Sequence, residues 1–500
     1  MNDQNSLEDL EARIHDISLD FDPRTMRQAG YRVIDYLVER IVNLRKRSFG
    51  QELSREETEA LLREPLPENP TEFEEVFAKF CRDVAPNSIA LDHPLFSAFI
   101  PSAPSFISIL GDMLTAGINV FAGTWVESSG PSQVEIVVVD WFKQMLGMPP
   151  EASGLMVSGG SVANLTALAV ARHSMLEDKV DNAVVYLSAQ AHTAVDRGLR
   201  ILGIREEQWR RVPTDGQYRM QPEALDRLIS DDLAAGFRPL AVVASAGTTS
   251  TGSVDPLAEI AHIAHAHSTW FHVDGAYGGF AALTERGRQL LRGIEQADSV
   301  VLDPHKWFYC PFEAGCVLVR EGRLMRETFR ILPDYMRDVA REKKEINFCD
   351  YGLQLTRSFR ALKVWMAVKT YGASQLRKVI DQCLDLTEYA AKLLAQSPRF
   401  EIVTSPSLGV FTFRYVPMWL PAGLERDVYL NHLNDALAAR IIGSRRIKLS
   451  STRLDGRHVL RFCILNHRTR MEDVHAVREI ILELGEEVEH SISAHGVGPE

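Results

Sequence analysis

The chain has no uncharged apolar run of about 18 residues, the length a helix needs to cross a bilayer, so nothing in its 500 residues reads as a membrane span. Its six cysteines, Cys81, Cys310, Cys316, Cys349, Cys383 and Cys463, contain no CxxC pair and no regular spacing. That argues against a disulfide framework or a cysteine-built zinc site and fits a reducing compartment. Positive charge is not in excess: 55 Lys and Arg against 67 Asp and Glu give a net charge of -12. A broad electrostatic attraction to nucleic acid or to an anionic membrane is therefore not expected. The opening residues, MNDQNSLEDLEARIHD, lack the basic and apolar blocks of a signal peptide, and a cytoplasmic protein is expected. There is no internal repeat or low-complexity tract. His262, His265 and His267 lie on one helix-like stretch, but no cysteine or HExxH accompanies them and His267 points away from the other two, so no metal site is expected.

What the chain does contain is concentrated between Trp270 and Phe308. Trp270 to Ala276 and Ser299 to Asp303 are short apolar runs that end in polar, reactive residues, as buried parallel strands do where their carboxyl ends meet a ligand. Asp274 closes the first run and Lys306 follows the second. A carboxylate and a lysine in one cleft suit pyridoxal phosphate, which needs an amine to carry it and an anion to keep its ring nitrogen protonated. Taken alone, the two residues also fit a buried salt bridge, or a strand-end aspartate and a surface lysine.

Other stretches add strands and helices in alternation. LMVSGGSVANLTALAVARH, from Leu155, predicts a strand, a small polar turn and a helix whose free N–H groups suit an anion, although a plain glycine turn has the same look. AVVYLS, residues 183 to 188, predicts a strand that leads to His192, and LAVVASAGTTSTGSVDP, residues 240 to 256, a strand and a hydroxyl-rich loop. LAEIAHIAHAH then crosses back to the Asp274 strand, which makes a parallel strand–helix–strand unit. Nearer the start, Pro23 opens a helix with Met26, Gly30, Val33, Ile34, Leu37, Ile41 and Leu44 on one face, and REPLPENP, residues 63 to 70, breaks the chain. Near the end, two β-rich stretches flank helices. Pattern alone therefore gives an α/β fold with an added α+β part.

HVDGAYGG, DPHKW and SFRALKVW resemble the pyridoxal-phosphate group II amino-acid decarboxylases, and the likeness extends over about residues 80 to 480. It is closest to the aromatic-L-amino-acid branch. The resemblance implies fold type I of the pyridoxal-phosphate enzymes and a homodimer. The domains expected are an N-terminal helical dimerisation segment (1–85), a large cofactor-binding domain (86–370), a small C-terminal α+β domain (371–490) and a tail (491–500). It implies that Lys306 carries the cofactor, that Asp274 faces the ring nitrogen and that His192 stacks on the ring. Gly160, Ser161, Thr249, Ala276 and His305 complete the cofactor contacts, with Asp255 in the supporting network. Asp303 stands where some relatives place asparagine, and an anion there would repel a phosphate.

For the substrate, the resemblance puts Phe99, Ile100, Ser102 and Phe121 around an apolar side chain, with Gly123 and Thr356 differing in size from the animal enzymes. Tyr335, in LPDYMRDV, matches the tyrosine of a closing loop that returns a proton to the α-carbon. The reaction expected is decarboxylation of an aromatic L-amino acid to its amine and carbon dioxide. An aldehyde synthase or an aminotransferase using the same cofactor is the alternative, and a non-catalytic binding protein is disfavoured by the presence of both Lys306 and Asp274.

Overall fold

The computed structural model describes residues 10–15, 17–100, 103–331, 345–420 and 426–494. Its contacts divide the chain into two compact units, Met1–Ile89 and Ala90–Glu500. In the first, the Asp22 carboxylate caps the helix Pro23–Val42 by accepting from the N–H groups of Arg24 and Thr25. Val33, Ile34, Leu37 and Ile41 are half-buried along the predicted face. Tyr31 and Val42, on the other side, are 67% and 74% exposed.

The second unit is built on a seven-stranded sheet. Its strands are β1 (Ser153–Val157), β2 (Ala183–Ser188), β3 (Trp209–Val212), β4 (Arg238–Ser245), β5 (Trp270–Asp274), β6 (Ser299–Leu302) and β7 (Gly315–Val319). They lie in the order β1-β7-β6-β5-β4-β2-β3. The five strands from β6 to β3 run parallel, whereas β7 is antiparallel to both of its neighbours. The reversal has a local cause: after the short helix Pro304–Trp307 only a tight loop leads into Gly315, too little chain for a crossover helix.

Both faces of the sheet are covered, which is why its strands read as unbroken apolar runs. Val184, Tyr186, Phe271 and Val273 pack into one core with Val139 and Phe142 of the helix Trp125–Leu146 and Ile260 of the helix Leu257–Ala266. Val185, Leu187 and Trp270 pack into the other, with Ala167 and Leu168 of the helix Gly160–Leu176. Side chains alternate along a strand, so Trp270, His272 and Asp274 all turn toward the helix Gly160–Leu176.

A four-stranded antiparallel sheet follows, with β8 (Phe400–Ser407), β9 (Val410–Tyr415), β10 (Ser450–Leu454) and β11 (Arg457–Cys463) in the order β10-β11-β9-β8. The long helix Ala361–Ala395 leads into it and leaves helical geometry at Gly372, whose φ is 74°. The last helix, Met471–Ala494, runs past residue 491, where the sequence suggests a tail. Ile492 is 7% exposed and packs on the small-sheet core, and that contact extends the helix beyond the polar residues that made it look frayed.

Candidate active site

Register brings the reactive groups together. Ser245 at the end of β4 pairs with Asp274 at the end of β5, and Asp274 pairs with Val301 of β6, two residues before Asp303. The carboxyl ends of three parallel strands thus form one rim, the usual place for a ligand in such sheets. Beneath it lies a cavity of ≈ 440 Å³ whose wall includes Gly160, Ser161, His192, Thr249, Asp274, Ala276, His305 and Lys306. Every residue expected to touch the cofactor is in that wall. A larger cleft of ≈ 1350 Å³ opens between the helix Leu257–Ala266 and β8, but it contains no lysine and is remote from this chemistry.

The floor of the cavity requires glycine. A Cβ on Gly160 would sit 2.9 Å from Asp303 Oδ2 and 3.2 Å from Ala276 Cβ, and one on Gly315 only 2.5 Å from Gly159 Cα. Side chains here would fill the space above the N-terminus of the helix Gly160–Leu176, where backbone N–H groups stand free for an anion.

Lys306 Nζ lies 2.9 Å from Asp303 Oδ2, and the Asp303 side chain is 2% exposed. His305 Nε2 is 3.5 Å from the same oxygen, while His305 Nδ1 accepts from the Ala314 N–H at 3.3 Å. Burial pulls the His305 imidazole below its ordinary pKa. Asp303 Oδ1 is buried with no hydrogen-bond partner.

Asp274 is 9% exposed. Its Oδ1 accepts from the Ala276 N–H and its Oδ2 from Asn164 Nδ2, both at 3.1 Å. His192 caps the helix Thr193–Ile201: its Nδ1 accepts from the Ala194 N–H at 3.2 Å, which fixes the ring at the cavity wall. Asp255, fully enclosed, accepts from the N–H groups of Ser245 and Met220 at 2.7 Å each, and burial raises its pKa to about 6. It props up the end of β4.

The residues expected around the substrate are placed differently. Phe99, Ile100 and Phe121 are not in the cavity wall, and Ser102 and Tyr335 lie outside the described residues. Phe99 is 59% exposed, with its backbone tied by its N–H to Ser450 Oγ at 3.1 Å. The Phe121 ring occupies the space that a side chain at Gly123 would need, with Cζ 2.5 Å from the position of such a Cβ.

Several contributors escaped sequence reasoning. Asn164 stands four residues after Gly160 on the same helix face, and a lone asparagine among Ala and Leu was the available signal. Tyr277 is also in the wall, stacks on Trp307 and accepts from the Gly409 N–H at 2.7 Å, which joins the β8–β9 turn to the site. Arg461 of β11, 3% exposed, donates to the carbonyls of Thr249, Ser250 and Phe99 and to Ser450 Oγ. An arginine inside the apolar run HVLRFC marked it. These donors are spent on neutral oxygens.

The chain is similar to known decarboxylases. Residues 56–416 match the pyridoxal-dependent decarboxylase conserved domain. The aromatic-L-amino-acid decarboxylase of Bacillus atrophaeus is 38% identical over 472 residues, 94% of this chain and 98% of the relative. A phenylacetaldehyde synthase of Petunia hybrida is 29% identical, covering 89% of this chain and 90% of that one. Among solved structures, that of Oryza sativa TDC with PLP and tryptamine superposes with a TM-score of 0.88 at 26% identity, over 94% of this chain and 99% of that one.

Proposed function

The chain belongs to the pyridoxal-dependent decarboxylase family and is a pyridoxal-phosphate-dependent amino-acid carboxy-lyase, and we propose that it converts an aromatic L-amino acid to its amine. The observation that carries this reading is the single cavity in which Lys306 and Asp274 both stand, floored by a glycine turn at a helix N-terminus. The wall suits the cofactor. Lys306 would supply the amine that carries it, and the turn from Ser158 to Ser161 would receive the phosphate. Asp303 stands beside this turn, and its ion pair with Lys306 Nζ at 2.9 Å offsets the charge it would present to a phosphate.

When bound, pyridoxal phosphate supplies an electron sink for the pair left by departing carbon dioxide. The protein's part is orientation and proton control. Asp274 would hold a proton at the ring nitrogen, and His192 and Ala276, in the same wall, would confine the ring. Tyr335 returns a proton to the substrate's α-carbon, and in doing so directs the product to amine.

An aromatic substrate is supported by the Bacillus relative and by the absence of a free arginine from the described wall. Lys306 is committed to the cofactor, and the Arg461 guanidinium is turned onto backbone carbonyls, so among the described residues of the wall an acidic side chain finds no free cation. The site is completed by a second copy of the chain. Phe312, 55% exposed, rests edge-on against His305 of the cavity wall. Apolar surface at the mouth of a site fits a symmetric interface better than solvent. No helix among the described residues is long and apolar enough to cross a membrane. With its described cysteines all free, the enzyme is assigned to the cytoplasm.

The test is a substrate panel with carbon dioxide and amine both quantified. Tryptophan, phenylalanine or tyrosine should exceed glutamate by at least about 100-fold in kcat/KM, with one amine per carbon dioxide. In the same assay Tyr335→Phe should keep carbon dioxide release and lose most of the amine. Turnover of only glutamate or aspartate would overturn the substrate class, and aldehyde with peroxide from the wild-type chain would favour the synthase reading suggested by the Petunia relative.

A further inference from the structure

From Asn164, in the cavity wall beside Asp274, a chain of buried polar side chains runs back into the fold, and the reaction as described assigns no task to its far members. Trp270 Nε1 lies 2.8 Å from Ser299 Oγ, and the same oxygen lies 2.8 Å from His272 Nδ1. His272 Nε2 is 2.7 Å from Asn164 Oδ1, and Asn164 Nδ2 reaches both the Gly160 carbonyl at 2.9 Å and Asp274 Oδ2 at 3.1 Å. His272 and Ser299 are 0% exposed and Asn164 is 1% exposed, so water does not complete any of these bonds.

With the His272 imidazole neutral, as its burial favours, donor and acceptor chemistry leaves one arrangement. The two partners of Asn164 Nδ2, a carbonyl and a carboxylate, only accept, so the amide must present N–H₂ to them and its oxygen to His272. That oxygen only accepts, so His272 Nε2 carries the hydrogen. His272 Nδ1 is then a bare acceptor and takes the Ser299 hydroxyl hydrogen, while Ser299 Oγ accepts from the indole N–H of Trp270, which can only donate. Every donor in the run points toward Asp274.

We propose that His272, acting through Asn164, is the positioning residue for Asp274: the one-way chain from Trp270 holds the carboxylate ionised and in a single rotamer, with its remaining lone pairs aimed at the cavity. This rests on the reading of Asp274 as the partner of the cofactor's ring nitrogen. The alternation of β5 is what makes it available, because residues 270, 272 and 274 fall on one face and the helix Gly160–Leu176 lies across that face. The one-way chain needs a neutral, singly protonated imidazole, because only a bare Nδ1 takes the Ser299 hydroxyl hydrogen. Burial supplies this condition by lowering the His272 pKa to about 4 against the opposing pull of Asp274. Orienting groups behind a functional side chain commonly change its performance by about 10- to 100-fold.

Two measurements test the proposal. In the cofactor-free full-length protein, ¹⁵N spectra of histidine-labelled chain should show His272 as the neutral Nε2–H form, unchanged between about pH 5.5 and 8. The Nδ1–H form, or titration inside that range, would overturn the relay whatever the cofactor does. Separately, affinity for pyridoxal phosphate, read by absorbance, should fall about tenfold in His272→Leu and in Asn164→Ala. His272→Gln, whose amide can accept from Ser299 and donate to Asn164, should stay within about threefold of wild type. Thermal midpoints of the cofactor-free variants show whether a loss is one of folding: His272→Leu and His272→Gln should be matched there yet separate in affinity. Equal affinity of the Leu variant and wild type would overturn the proposal. Failure of the wild-type chain to take up pyridoxal phosphate would instead overturn the underlying reading of Asp274.

Discussion

A Lys306→Ala chain is expected to decarboxylate about 10⁴-fold more slowly than wild type, a loss of about 5.5 kcal/mol of transition-state stabilisation. Two functions vanish together: the covalent hold on the cofactor and the nearest amine able to exchange it onto substrate. The same change also leaves Asp303, whose side chain is 2% exposed, without its 2.9 Å ion partner. A buried carboxylate deprived of its cation destabilises the fold by about 3 kcal/mol. Lys306→Arg separates the two effects. A guanidinium retains the charge opposite Asp303 and should recover most of the thermal midpoint, yet it cannot carry the cofactor and should recover no activity. If Lys306→Ala kept more than about a tenth of wild-type turnover, a lysine-borne cofactor at this position would be excluded.

Asp274→Ala should lower kcat/KM by about 10³-fold, or about 4 kcal/mol, and weaken pyridoxal phosphate binding by about 10- to 100-fold. The carboxylate is the only acidic group on the wall of the cavity that already has its hydrogen bonds from Asn164 and Ala276 in place, so its charge is held without reorganisation. Asp274→Asn distinguishes charge from shape. It fills the same volume, and if a proton must be held on the ring nitrogen it should be nearly as slow as the alanine variant. An asparagine variant with half of wild-type kcat would show that the carboxylate is only a steric support.

The parts of this site that could be read from the sequence share one physical feature: they sit where a strand ends. Asp274 and Lys306 interrupt apolar runs, and an ionisable residue directly after a buried strand has few places to go except a ligand cleft. The Ser158–Ser161 turn was legible for a similar reason, since small residues between a strand and a helix leave space as well as N–H donors. The interior of a helix is harder. Asn164 looks like one polar residue on a mostly apolar helix, and nothing short of the fold shows that its amide reaches from His272 to Asp274. In the sequence His272 stands out only as the first letter of HVDGAYGG. Its partners are 27 and 108 residues away, and such separations carry no periodic signal.

Orientation of individual side chains was the other hidden quantity. The mainly parallel sheet was expected, but the antiparallel β7 follows from the length of a loop, which apolar patterning does not encode. Arg461 interrupts an apolar strand just as Asp274 does, yet its guanidinium is absorbed by the carbonyls of Thr249, Ser250 and Phe99. Phe99 and Phe121 were pocket residues only by the family resemblance, whereas backbone ties at Phe99 and the absence of a side chain at Gly123 set where those rings go.

The central claim, that this cavity holds pyridoxal phosphate on Lys306, is tested most directly by reducing the cofactor-loaded wild-type protein with borohydride and locating the label by peptide mass spectrometry. One phosphopyridoxyl group per chain on the peptide containing Lys306 is the predicted result, with none on Lys363, whose Nζ donates to the carbonyl of the wall residue Glu313 at 3.3 Å. A label on any other lysine, or no label from a chain that has taken up the cofactor, would contradict it.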